Sequence, residues 1–180
     1  MQEISRFSGI VVLLNGNEND DPKKPRVDIY YGDYHAVMSL EGQVLEGKLP
    51  FDQLIVMVGW LKFYEEDIYR NWALELKGGY VDKVPQLKRS KVSAKNDVYN
   101  ENLYLQGAKP LKWGIMLVVF SDGQKRLFDT ILLEESKYIS LRDVDTFKSV
   151  MVENEALSFR NGELVITAET VYQYSYKYNG

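Results

Sequence analysis

The sequence predicts an α+β protein built from two small domains, each a mainly antiparallel sheet with packed helices. Three observations predict it. Residues on both sides of Gly32-Asp33 alternate between apolar and polar, which is the period of strands with one face on a core. A long apolar pattern of helical spacing follows Pro50. Asp122-Gly123 and Asn161-Gly162 then mark hairpins in the second half. A helix pair is predicted for the first domain and one short helix for the second.

The first half begins with strands. The apolar run within Ile4 to Leu14 predicts one buried strand, and the polar segment Asn15 to Pro25 predicts an exposed loop. The alternating strands about Gly32-Asp33 come next, then a turn at Glu41-Gly42 and a short strand that ends at Pro50.

The helical segment begins at Pro50, with Asp52 in the first turn, where a negative charge suits the helix dipole. Five residues of helical spacing predict the face that packs on the sheet, namely Phe51, Leu54, Ile55, Val58 and Leu61. A second apolar flank consists of Met57, Trp60 and Tyr64. The acidic cluster at 65–67 predicts a kink or a new helix that ends at Gly78-Gly79, and the first domain ends near Pro85.

Residues 86–108 lack a sustained apolar period and are predicted to form an exposed, basic linker between domains 1–85 and 109–180. Within it, Glu101 to Gly107 differs only at Leu105 from the recognition site of the tobacco etch virus protease. The segment is either a remnant of engineering or a chance match, and it carries no functional information in either case.

The second half is predicted to contain a hairpin about Asp122-Gly123 and a short helix opened by Asp143 or Asp145. Later strands turn at Asn161-Gly162, and Thr167 caps a last short helix or turn. The final residues carry tyrosines at alternate positions: Tyr172, Tyr174, Tyr176 and Tyr178. They indicate an edge strand that binds a partner, a strand of the domain's own sheet, or a frayed tail.

Composition excludes several classes of function. The net charge of −4 gives no overall electrostatic signature of nucleic-acid binding, and without cysteine there are no disulfides or thiolate metal sites. His35 is the single histidine, so a multi-histidine metal site is ruled out within one chain. A Ser-His-Asp triad that uses any residue other than His35 as its imidazole is ruled out as well. No metal or other cofactor is expected. No apolar run approaches 20 residues and the start has no signal-peptide pattern, so a cytoplasmic protein is expected.

Candidate site residues lie on the first hairpin and in the linker. A polar cluster that contacts phosphate or supplies a base could form at the hairpin from Arg26, Asp28, Tyr30 and Asp33, or these could be outward-facing residues of a half-buried strand. His35 could be a lone general base or a surface residue of a strand. Four linker cations could touch nucleic acid or be a solvated charge run: Lys88, Arg89, Lys91 and Lys95.

Two sets of motifs carry family resemblances. The first comprises Ile4 to Phe7 with Gly9, Tyr31 to Tyr34 with Ala36, Val44 to Gly47 with Leu49-Pro50, Trp60, and Asn71-Trp72. On these residues the first half resembles a bacterial family catalogued as domain of unknown function 4160. The second comprises Val119 to Gly123, Phe128-Asp129, Leu141 to Asp143 with Phe147, and Asn161 to Leu164. On these the second half resembles domain of unknown function 2442.

The paired resemblance implies a toxin–antitoxin-like protein, with a toxin-like first domain, directed at RNA or translation, that the second domain binds and masks. Domain–domain contact within the chain, or a homo-oligomer, is the implied association, and no membrane is involved. The family's two characteristic histidines fall here on Arg26 and Asp28, which predicts lost chemistry at those positions. The alternative is a non-catalytic module that binds another protein.

Overall fold

A computed structural model describes residues 1–86 and 98–178 of the chain. Its contacts divide the chain into two compact units, Met1–Arg89 and Ser90–Gly180. Both units combine antiparallel strands with helices, which confirms the α+β class. Among the described residues, no helix has the length and apolar character needed to cross a membrane.

The first unit is built on a five-stranded antiparallel sheet in which each strand pairs with the next along the chain. The strands are β1 (Gln2–Phe7), β2 (Ile10–Leu14), β3 (Arg26–Tyr31), β4 (Tyr34–Ser39) and β5 (Val44–Gly47). This meander has β5 at one edge. Its other edge, β1, is followed by the chain near Val84, whose N–H donates to the Ile4 carbonyl at 2.7 Å.

The prediction of one strand from Ile4 to Leu14 is wrong. Ser8 and Gly9 both have positive φ angles, 52° and 77°, and they turn the chain so that Phe7 pairs with Ile10. Two successive residues with positive φ match the right-handed twist of the flanking strands. The apolar run therefore forms two strands.

The hairpin of β3 and β4 follows the predicted turn. Gly32 has a φ of 57°, and Tyr31 pairs directly with Tyr34, so the loop contains only Gly32 and Asp33. A two-residue loop leaves one register for the strands, which places Tyr30 opposite His35.

Two helices cover one face of this sheet. α1 (Phe51–Phe63) and α2 (Glu65–Glu75) are separated at Tyr64, whose φ of −110° leaves the helical range, as the acidic cluster predicted. Trp60 packs against Phe7, with ring centroids 5.9 Å apart. The Asn71 side chain exchanges two hydrogen bonds with the backbone of Asp82, and this exchange secures the segment after α2.

The predicted packing face of α1 is wrong for most of its residues. The buried residues are Met57, Trp60 and Leu61, from the predicted second flank and the edge of the first. Phe51, Ile55 and Val58 are exposed. Apolar residues surround this helix on nearly every side, so its own periodicity favours no single face.

The second unit contains two antiparallel sheets. The first has the order β12-β8-β7-β6 and the second the order β11-β10-β9. Their strands are β6 (Leu105–Pro110), β7 (Ile115–Phe120), β8 (Lys125–Asp129), β9 (Met151–Glu153), β10 (Ala156–Phe159), β11 (Leu164–Ile166) and β12 (Ser175–Lys177). The predicted hairpin about Asp122-Gly123 is β7–β8.

Two short helices and two 3₁₀ segments complete the second unit. α3 (Val144–Lys148) is capped by Asp143, whose carboxylate accepts from Thr146 N–H at 2.9 Å. α4 (Ala168–Gln173) is capped by Thr167, as predicted. The 3₁₀ segments are Thr130–Leu132 and Ser136–Arg142.

The linker predicted over 86–108 differs from the structure at its C-terminal end. Leu105 is buried in β6 and pairs with Phe120, and Tyr99 and Leu103 pack against the same core. The protease-site-like segment Glu101 to Gly107 thus leads directly into the sheet. The few apolar residues of this segment follow neither a helical nor a strand spacing, because each contacts the core of the second unit individually.

The tyrosine alternation predicted at the end of the chain does not form a single strand. Tyr172 lies in α4 and is buried, Tyr174 ends that helix, and only Tyr176 lies in a strand, β12. Local capping by Thr167 and burial of Tyr172 favour the helix here over a period-2 strand.

We expect Gly47→Ala to destabilise the first unit more than Gly78→Ala. Both glycines have positive φ, 73° and 69°, and alanine there costs about 1–2 kcal/mol. A Cβ at Gly47 would lie 2.1 Å from the His35 carbonyl oxygen, so the backbone of β5 must also move, whereas one at Gly78 would meet nothing within 4 Å. Urea unfolding followed by tryptophan fluorescence in a Trp113→Phe background measures the difference; equal losses would contradict it.

Candidate acid–base site

The buried carboxylate of Asp28 holds the only imidazole of the chain. His35 Nε2 lies 2.9 Å from Asp28 Oδ1, and the carboxylate side chain is 8% exposed against 42% for the imidazole. Because Nε2 faces the carboxylate, Nδ1 lies on the other side of the imidazole ring from Asp28. A carboxylate that orients an accessible imidazole in this way is a common arrangement for proton transfer.

The ring of Tyr30 stacks on one face of the His35 imidazole. The Tyr30 and His35 rings are stacked, with centroids 4.4 Å apart and an angle of 21° between their planes. Burial, and then the nearby Asp28 carboxylate, raise the pKa of Tyr30 above its ordinary value of 10.0. The phenol therefore keeps its proton at neutral pH.

Strand register brings these three side chains together. Tyr30 lies directly opposite His35, and Asp28 is two residues along β3 on the same face, diagonal to His35. On the far side of β4, Gly47 approaches the His35 carbonyl so closely that no side chain fits, and Lys48 N–H donates to that oxygen at 3.0 Å. The backbone of His35 is thus held from both neighbouring strands.

Arg26 does not join this cluster. Its guanidinium forms two hydrogen bonds of 3.0 Å with the Asp20 carboxylate and lies 5.5 Å from the centre of the Trp72 ring. These contacts tie the loop before β3 to α2. Of the predicted hairpin candidates, Asp28, Tyr30 and His35 form one site and Arg26 is a separate structural contact. Asp33 lies in the two-residue loop between β3 and β4.

An ion-paired group lies on the same face of the sheet, beyond β2. Arg6 pairs with Val11, which pairs with Tyr30, so Arg6 and Tyr30 share one row across the strands. Arg6 donates to Glu3 at 2.6 Å, and Lys83 donates to the same carboxylate at 3.1 Å. This group was absent from the sequence prediction because β1 and β2 were read as one strand.

The other predicted site residues lie apart from the hairpin. Tyr172 packs inside the second unit, where the Arg126 guanidinium lies 4.0 Å from the centre of its ring, so it is a core residue. Tyr174 and Tyr176 are partly exposed, and their predicted role in partner binding stays a prediction. The linker cations lie outside the described residues: Lys88, Arg89, Lys91 and Lys95.

Among residues 1–86 and 98–178, no three His, Asp or Glu side chains are grouped so as to hold a metal ion. The hairpin site itself offers an imidazole, a carboxylate and a phenol. The Asp28–His35 contact had a usable signal in the sequence. A two-residue loop at Gly32-Asp33 sets the pairing of Tyr30 with His35, and from that pairing the diagonal contact follows.

Residues 9–73 match the family model described as "Domain of unknown function (DUF4160)". The match lies within the first unit and agrees with the resemblance of the first half; the resemblance of the second half to another family stays a prediction. Neither the curated proteins nor the solved structures contain a match to this chain.

We expect Glu3→Gln to reduce stability at neutral pH and to have little effect in acid. Burial acts to raise the pKa of the Glu3 carboxyl, but its hydrogen bonds and charge contacts with Arg6 and Lys83 lower it below the ordinary 4.5. Its stabilising contribution is therefore present above about pH 4.5 and is lost as pH falls through the lower folded-state pKa. Urea unfolding of both proteins at pH 7 and near pH 3 tests this, and a pH-independent difference would contradict it.

Proposed function

We propose that the chain is a fused toxin–antitoxin-like bacterial protein that acts in the cytoplasm. Its first unit is an effector directed at RNA, and its second unit binds and masks that effector. The observation that carries the effector role is the Asp28–His35 contact of 2.9 Å, in which a buried carboxylate orients a partly exposed imidazole.

RNA is a suitable substrate because its cleavage needs proton transfers and no cofactor. In the proposed reaction, His35 removes the proton from a 2′-hydroxyl, whose oxygen then attacks the adjacent phosphorus. The bond from phosphorus to the 5′-oxygen breaks, and that oxygen takes a proton from Tyr30 or water. The products are a 2′,3′-cyclic phosphate and a free 5′-hydroxyl, and the imidazolium formed is stabilised by Asp28.

The position of His35 supports this proposal. The resemblance to the family places one characteristic histidine at position 28 of β3, where this chain has Asp28. His35 lies on the neighbouring strand within hydrogen-bond distance of that position. This chain therefore has an imidazole one strand away from that position on the same face, beside a carboxylate that can orient it.

The second unit has the properties required of a masking partner. It has its own apolar core, formed around Phe120, Phe128 and Phe159 from both of its sheets. It can therefore fold as a body distinct from the effector. A partner joined by a short segment acts at millimolar effective concentration, so even a weak contact would keep the effector masked.

We expect residues 1–89 expressed alone to arrest bacterial growth and residues 90–180 to relieve the arrest when co-expressed. The control fragment 109–180 lacks most of β6, including buried Leu105, and should not give relief. Growth curves after induction measure all three. Normal growth with well-expressed residues 1–89 would contradict the effector role.

Within residues 1–89, we expect His35→Gln to abolish the arrest and RNA cleavage, with at least about a hundredfold loss of rate. Glutamine can still donate a hydrogen bond to Asp28, but it cannot transfer a proton in the way imidazole does. Glu46→Gln is the matched control, because Glu46 is exposed on β5 in the row beside His35. Full toxicity of a folded His35→Gln variant would rule out this site.

A second candidate function is a non-catalytic protein-interaction module. It is favoured by the exposed apolar residues of α1, among them Phe51 and Ile55. Under this alternative, His35→Gln leaves every activity unchanged, whereas a charge placed on α1 disrupts it.

A further inference from the structure

Helix α1 has two apolar sides, and only one of them is buried. Met57, Trp60 and Leu61 face the core of the first unit. On the opposite side, Phe51 is 73% exposed, Ile55 55% and Phe63 72%. Two phenylalanines and an isoleucine exposed on one helix are an unusual surface for a protein without a partner.

The exposed side of α1 has three pairs of positions at equal distances before and after Met57. Phe51 and Phe63 lie six residues before and after it, Asp52 and Lys62 lie five residues away, and Ile55 and Gly59 lie two residues away. All six residues are exposed. Since successive helix residues are separated by about 100° around the axis, these positions fall within a sector of about 120° centred opposite Met57. The end pair, Phe51 and Phe63, consists of identical residues, and Asp52 and Lys62 have opposite charges. The central pair combines the large Ile55 with the small Gly59.

Gly59 supplies an independent observation. It lies in the interior of α1, where glycine favours the helix less than alanine does. Its φ is not positive, and a Cβ placed on it would meet nothing within 4 Å. The fold of the first unit therefore gives no reason for glycine at this position, whereas close approach of another backbone or a bulky side chain does.

We propose that a second copy of this chain docks on α1, with the two helices antiparallel about a two-fold axis near Met57. Ile55 of each copy packs over Gly59 of the other, and Phe51 packs beside Phe63. Asp52 of each copy pairs with Lys62 of the other, whose ammonium has three donors and also donates to Glu65 of its own copy at 2.7 Å. Antiparallel helices also place opposite ends of their dipoles together. Such an isologous contact uses the same surface twice and closes at two molecules.

The interface continues beyond the helix toward the edge of the sheet. Val58 contacts the turn at Gly42, which leads into β5, where Val44 and Leu45 are exposed. A contact centred on one helix pair is small, so we expect reversible association with a dissociation constant on the order of micromolar. This inference does not depend on the acid–base function of His35.

Sedimentation velocity of the full chain from about 1 to about 300 µM tests the proposal. We expect a concentration-dependent rise to twice the monomer mass. Ile55→Glu should raise the dissociation constant at least about tenfold, whereas Ile139→Glu, the same change at a 63% exposed isoleucine of the second unit, should leave it unchanged. A monomer at every concentration overturns the proposal.

Two further variants test the arrangement of the helices. Gly59→Ala should weaken the dimer while leaving the monomer as stable or more stable, since alanine favours the helix. Asp52→Lys and Lys62→Asp should each weaken association, and the double variant should restore it, since both charges are exchanged. A dimer that is insensitive to Ile55→Glu and Gly59→Ala, or a double variant weaker than both single variants, overturns the antiparallel α1 contact.

Discussion

The pairing of Tyr31 with Tyr34 across a two-residue loop is the constraint on which the first unit depends. It sets which side chains of β3 and β4 share a face, because a shift of one residue would exchange the two faces of either strand. With this register, Ile29 and Tyr31 are buried on one face, and Asp28, Tyr30 and His35 meet on the other. Core formation and the candidate site therefore rest on the same hydrogen-bonded pairs.

The second constraint is the choice of the buried side of α1. Trp60 makes the largest contact, packing on Phe7 and donating its indole N–H to the Pro85 carbonyl at 2.9 Å. Burial of one Trp with both an aromatic neighbour and a hydrogen-bond partner outweighs burial of the smaller Ile55 and Val58. The result leaves a second apolar side of α1 on the surface, and covering that side with a partner would remove apolar area from water.

The second unit depends on contacts made by residues far apart in the chain. Arg126 is buried, donates to the side chain and carbonyl of Ser175, and lies over the ring of Tyr172. These contacts join the end of the chain to β8, while Leu105 and Tyr99 close the same core from its beginning. Residues near both ends of the described part of the second unit, 98–178, thus contribute to its core.

The sequence by itself determined the local features: the turns at Gly32-Asp33 and Asp122-Gly123, the helix start at Pro50 and the caps at Asp143 and Thr167. Each depends on neighbouring residues and on the conformations that glycine, proline or a capping side chain favours. Tertiary structure alone decided which side of α1 is buried, that Leu105 belongs to a sheet and that Tyr172 is in a helix. Those outcomes depend on strand register and on the comparative burial of distant side chains, which periodicity along the chain does not encode.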